Sequence, residues 1–211
     1  MITTEARWPQ HYRGIVSDNY ADVIDATRER ASRQASFLIF ARIIPGVFHT
    51  PGFARLSTLI GRQAWPERAI EISGIRRQFG DAVRSSYGTV AGLVTQSGWR
   101  QSLQIAQEGL IDGAEGVRLG VEAMLGKHVQ LQEVADEDAA DLPYAFVALR
   151  APDETRVWVE TTKPETRTLR GVFEIQGAEI TDAEERTAYL EAFERLQEHA
   201  VPLGRTALGG A

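Results

Sequence analysis

Residues 98–125 carry a pattern that few arrangements can satisfy. On a helical wheel at about 100° per residue, Gly98, Ser102, Gly109, Gly113, Gly116, Gly120 and Ala123 all fall within about 40° of one line. Going backward, Ala91 and Thr95 fall on the same line. Trp99, Leu103, Leu110, Val117, Val121 and Met124 form a large apolar stripe beside it, and Arg100, Gln104, Gln107, Glu108, Asp112, Glu115, Arg118 and Glu122 fill the opposite side. This phase coherence predicts a single helix over at least 98–125.

Glycines inside a helix cost about 1 kcal/mol each relative to alanine, so Gly109, Gly113, Gly116 and Gly120 together cost roughly 3–4 kcal/mol before packing. A second backbone approaching the small face offsets that cost through dispersion and weak Cα–H contacts to carbonyl oxygens. The expected partner is a helix of the same chain, and the alternatives are self-association or a helix that must bend or re-pack. Gly98, Ser102, Gly109, Gly113, Gly116 and Gly120 are therefore the candidate helix-packing or interface residues. The charged side of the same helix excludes it from a membrane span.

Upstream, Tyr20, Val23, Ile24, Thr27, Ala31, Ala35 and Leu38 recur at three- and four-residue steps, which predicts a helix over 19–44 capped by Asp18 and stopped by Pro45-Gly46. From Phe37 onward it is apolar almost all round, so its last two turns are expected to be enclosed. Thr50 and Pro51 open a second helix with Phe53, Leu56, Leu59 and Ile60 inward, and Trp65-Pro66 opens a third that runs toward Phe79-Gly80. After Gly126 the period changes. Residues 127–134, 144–150, 156–162 and 168–176 are short runs rich in Val, Phe, Leu and Thr, read as four antiparallel strands. A closing helix follows, with Thr181 and Glu184 as a capping box, Tyr189, Leu190, Phe193 and Leu196 as its buried face, and Pro202 beyond it. The expected fold class is α+β. It comprises an N-terminal helical layer of about four helices, a small antiparallel four-stranded sheet and a C-terminal amphipathic helix. The division falls into a helical region over 1–126 and a sheet-plus-helix region over 127–211, which can also form one single domain.

Charge is spread unevenly. Residues 1–112 hold 13 Arg and no Lys against 10 acidic residues, while residues 113–211 hold 10 basic against 19 acidic, which reproduces the formal net charge of −6. Within 26–100 lie 11 arginines and only Glu29, Glu67, Glu71 and Asp81. Arg55, Arg62, Arg68, Arg76, Arg77 and Arg84 are the candidate anion-binding set, for nucleic acid or an anionic membrane surface, because arginine binds phosphate bidentately and stacks on bases. The competing reading is that arginine is the habit of the whole chain, in which Lys127 and Lys163 are the only lysines.

Chemical motifs are few. The chain has no cysteine, hence no disulfide, thiolate site or cysteine nucleophile. Gly120 to His128 fails the phosphate-loop pattern in both spacing and final residue, and His11, His49, His128 and His199 lack metal-ligand spacing. Asp136, Asp138 and Asp141 resemble part of a calcium loop without its turn glycine or its bidentate glutamate. Glu133, Glu160 and Glu174 are carboxylates on expected strands, available in principle for acid–base work. No metal and no nucleotide cofactor are expected.

Met1 to Gly14 has no apolar stretch, so no signal peptide is expected, and residence is expected in the cytoplasm or within an assembled particle. The functional expectation is a non-enzymatic interaction or assembly protein, a subunit of a larger complex such as a virion component, with protein partners or self-association. The alternatives are an anionic-partner binder and a hydrolase-like enzyme without a recognisable motif.

Overall fold

The computed structural model describes residues 30–61, 66–109, 113–142, 145–162 and 175–204. Their centre is a mixed sheet and not the small four-stranded antiparallel one expected. Six full strands are β1 (Ser36–Ala41), β2 (Thr89–Thr95), β3 (Val129–Val134), β4 (Phe146–Arg150), β5 (Thr155–Thr162) and β6 (Ile175–Glu179), and a two-residue β7 (Val201–Pro202) joins at one edge. Their order is β6-β5-β4-β1-β2-β3-β7. β1 pairs with β2, and β2 with β3, in parallel; every other pairing is antiparallel.

The correction begins at Phe37. The all-round apolar run Phe37 to Ala41, read above as the enclosed end of a helix, is the strand β1 buried on both faces. Phe37 and Ile39 belong to one core cluster, and Leu38 and Phe40 to the other. A short continuous apolar run fits either element, and a parallel strand with both faces covered has just this composition. β2 follows the same rule, with Val90 and Val94 in the first cluster and Ala91 and Leu93 in the second. Ala91 and Thr95 thus lie on a strand and do not extend the small-residue helix backward.

Five α-helices cover the sheet among the described residues: α1 (Pro51–Gly61), α2 (Pro66–Ser86), α3 (Gln96–Glu108), α4 (Gly113–Glu122) and α5 (Ala183–His199). α1 and α2 connect β1 to β2, and α3 and α4 connect β2 to β3, so both parallel crossovers run in the same direction along the sheet. Right-handed crossovers of that kind place their helices on one face. Accordingly Phe53, Val83, Trp99, Ala106, Val117 and Val121 share the first cluster. α5 closes the opposite face with Ala192, Phe193 and Leu196. Its N-cap is Asp182, whose carboxylate accepts from the Glu185 N–H at 2.8 Å, one residue beyond the expected Thr181.

The single helix expected over 98–125 is two. α3 ends at Glu108 with Gly109 as its C-cap, and α4 begins at Gly113 with φ +65°, a left-handed backbone that no continuing helix contains. Of the expected strands, residues 168–174 of the fourth lie outside the described residues, as does 19–29 of the first helix. Strands from 36–95 and from 129–179 join in one sheet, across the division expected at 126. No helix of the described residues is long and apolar enough to cross a membrane.

Candidate functional site

In an open sheet with parallel strands, the place to look for a site is the crevice beyond the carboxyl ends of those strands. Here those ends are Ala41-Arg42, Thr95-Gln96 and Val134-Ala135, and three chain reversals meet there.

At the end of β1 the chain passes Pro45 and makes a 3-10 turn over Gly46–Phe48. His49 is buried, and its Nε2 donates to the Ile44 carbonyl at 2.8 Å, which closes the turn from inside. The imidazole stands edge-on to Phe53, with ring centres 5.0 Å apart. Thr50 then caps α1 by accepting from the Phe53 N–H at 3.2 Å.

At the end of β2, Thr95 caps α3 by accepting from the Gly98 N–H at 3.2 Å. A cap of this kind is worth about 1 kcal/mol. Ser102, fully buried, donates to the Gly98 carbonyl at 2.7 Å and accepts from the Ile44 N–H at 3.1 Å. One hydroxyl thereby bridges α3 to the turn after β1. Gly98 is there for a separate reason: a Cβ on it would lie 1.7 Å from the Arg42 carbonyl oxygen.

At the end of β3, Asp136 closes the third side. Its carboxylate accepts from the Ser97 N–H at 3.1 Å and from the Ser97 hydroxyl. The first turn of a helix offers unpaired N–H groups and a partial positive charge, so a carboxylate there is well placed. The Arg42 guanidinium donates to the Leu142 carbonyl at 2.6 Å across the same region.

Two further stripe residues also meet this chain. A Cβ on Gly109 would lie 2.5 Å from a Leu56 methyl of α1, and one on Gly120 would lie 2.5 Å from the Thr50 methyl. Among the described residues Gly113 has only the Gln107 side-chain oxygen nearby, at 3.7 Å, and its backbone angle explains the glycine there. Gly116 is half-buried on α4.

The candidate anion-binding arginines are spread over two helices among the described residues. Arg55 is exposed on α1 and Arg77 on α2, and Arg68 and Arg76 also fall on α2. Arg62 lies outside the described residues. Arg84, partly enclosed on α2, pairs with Asp81 at 2.5 Å; burial lowers its pKa and the Asp81 carboxylate opposes that shift. Burial also holds the Tyr87 phenol well above its ordinary pKa. On α4, hydrogen bonds from Arg118 hold the Glu115 carboxyl below its usual range, and Arg118 also pairs with Glu122.

Glu133, a candidate carboxylate above, is 2% exposed. Its carboxylate accepts from the Gly204 N–H, so it meets the chain's own C-terminal segment. Asp138 and Asp141 are exposed beside Asp136, and Glu174 lies outside the described residues. Among the described residues no group of three or more His, Asp or Glu side chains is placed to hold a metal ion. The roles of Arg42 and Asp136 at this end of the sheet escaped sequence reasoning, because each depends on a partner at least 39 residues away. No family model, curated protein or solved structure matches the chain.

Proposed function

We propose that this chain is a non-enzymatic interaction protein, a subunit of a larger assembly whose outer surfaces, and not a cleft, make the functional contacts. The observation that supports this reading is where the polar side chains beyond β1, β2 and β3 are spent. Thr95, Ser97, Ser102, Asp136, Arg42 and His49 all bond to groups of this chain, most of them backbone amides and carbonyls. They knit three chain reversals together instead of converging on a substrate. The small-residue stripe is occupied within the chain at Gly98, Gly109 and Gly120, so contacts with other subunits fall elsewhere on the surface.

Size-exclusion chromatography with light scattering, run over a wide range of protein concentration, tests the proposal. A stable oligomer, or a stable complex with a protein partner, is the expected result. A chain that stays monomeric at every concentration and pulls down no protein partner overturns it.

A further inference from the structure

The chain leaves α5 at Ala200, whose backbone is already extended at φ −69° and ψ 144°, and lays residues 201–204 along the outer edge of β3. Three contacts hold them there. Val201 and Pro202 pair antiparallel with Glu133 and Gln132. Leu203 packs, partly buried, against the first core cluster. Gly204 turns with φ +77° and donates its N–H to the buried Glu133 carboxylate.

The register explains the proline. The His128 carbonyl accepts from the Val90 N–H, and backbone groups alternate along a strand, so Val129, Leu131 and Glu133 turn their amides outward. Pro202 stands opposite Gln132, whose own groups face β2, so the missing proline N–H is not needed on this edge. The segment is therefore a short strap with a defined receptor: a strand edge, a place for one leucine, and a buried carboxylate.

We infer that residues 201–204 are an exchangeable strand, and that the same segment of a second copy can take their place on β3 and so join the two copies. The inference rests on the assembly reading above and names its contact. A strap held by two residue pairs, one partly buried leucine and one hydrogen bond, and joined to the body through one extended residue, is cheap to detach compared with any core strand. The receptor does not favour standing open, since detachment takes a hydrogen-bond donor away from a carboxylate that is 2% exposed. The segment whose register, leucine and glycine turn already fit that receptor is the one carried by every other copy. Exchange of an identical element creates no new kind of contact and is a low-cost route to association.

The absence of cysteine permits a direct test in the full chain. Gln132 and Pro202 are register partners, and directly opposed residues of this kind approach closely enough for a disulfide. Gln132→Cys and Pro202→Cys chains are mixed at high concentration, oxidised and separated on a non-reducing gel, alongside the double variant Gln132→Cys/Pro202→Cys. A disulfide-linked heterodimer in the mixture that dominates over homodimers of either single variant is the expected result. Only intrachain links in the double variant, with no heterodimer in the mixture at any concentration, overturn the exchange. If light scattering still finds an oligomer in that case, the assembly reading survives and this contact alone fails. If the chain is monomeric and pulls down no protein partner, both fail. A second variant guards against misfolded cysteine chains: Val201→Pro removes an N–H from the strap at a half-exposed position. With unchanged circular dichroism it is expected to lose the oligomer, and an undiminished oligomer counts against the proposal.

Discussion

Gly98→Ala sets two opposing effects against each other, and the structure decides the sign. A glycine in a helix gives up to about 1 kcal/mol of propensity relative to alanine, so on local grounds the variant gains stability. The new methyl would begin 1.7 Å from the Arg42 carbonyl oxygen. Carbon–oxygen contacts between backbones settle at about 3.3–3.6 Å, so α3 and the end of β1 have to separate by about 1.6 Å or more. That movement stretches the buried hydrogen bond from the Ile44 N–H to the Ser102 hydroxyl, which joins the turn after β1 to α3, while the bond from Ser102 to the Gly98 carbonyl lies within α3 and moves with it. Each buried polar group left poorly paired costs about 1–3 kcal/mol, and overpacking a well-packed site costs about the same again. After subtracting the propensity gain, a net loss of about 2–4 kcal/mol is expected.

Urea denaturation followed by far-UV circular dichroism measures it, and with an m-value of about 2–3 kcal/mol/M for a chain of this size the midpoint falls by roughly 1 M or more at unchanged m. Gly74→Ala is the matched control. It lies within α2, and among the described residues a Cβ there meets nothing within 4 Å. The same exchange at Gly74 should therefore gain about 1 kcal/mol. Gly98→Ala as stable as the parent chain, or more so, would refute the close approach and with it the account of the carboxyl-end knot.

Gly113→Ala is expected to lose about 1–2 kcal/mol through its left-handed backbone, and Gly113→Asn to lose less, read by thermal unfolding. Gly120→Ala should be destabilising in the parent chain and milder when combined with Thr50→Ser, which removes the methyl it strikes; a double-mutant cycle with no coupling contradicts the contact. Glu115 has a depressed folded pKa, so its contribution is present above the unfolded carboxylate pKa and is lost as pH falls through the folded value. Arg118→Gln should accordingly destabilise slightly at neutral pH, and the part of that effect carried by Glu115 should disappear once Glu115 is protonated, as compared by denaturation midpoints. Tyr87, with its pKa raised by burial, contributes stability that is intact below the unfolded phenol value of about 10 and declines above it. Alkaline unfolding should therefore coincide with its phenolate absorbance, and Tyr87 ionising in the folded protein at its ordinary pKa counts against its burial.

How much of this was legible in the sequence depends on how far away the deciding partner lies. The closing helix was readable because its acidic cap, apolar face and proline are all local, and the error at Thr181 is one residue. Three strands after Gly126 were readable from period and turn residues, but their pairing was not: β3 lies parallel to β2, and the fourth expected strand shares only residues 175 and 176 with β6 among the described residues. β1 was not, because Phe37 to Ala41 is apolar on both faces, and only the strands at 89–95 and 146–150 that flank it make it a strand. The stripe from Gly98 to Gly120 was visible as a phase. The phase could not report that Gly113 turns left-handed and breaks the helix, nor that the backbone approaching Gly98 comes from the end of a strand. The bond from Ile44 to Ser102 spans 58 residues and leaves no local trace.

The place of β1 between β2 and β4 has a consequence for synthesis. Of the described strands the ribosome delivers β1 first, β2 next, and β4 only after β3 has been made. From the emergence of Thr95 to that of Arg150 the nascent chain carries β1 with one edge paired and the other open. At about 5–20 residues per second that interval lasts roughly 3–11 s. An apolar strand with a free edge is the species that pairs with whatever strand is near. On a polysome the nearest such strand is the β1 of the next nascent chain, so the hazard window of this fold is set by the distance in sequence between its second and fourth strands and not by the stability of the finished sheet.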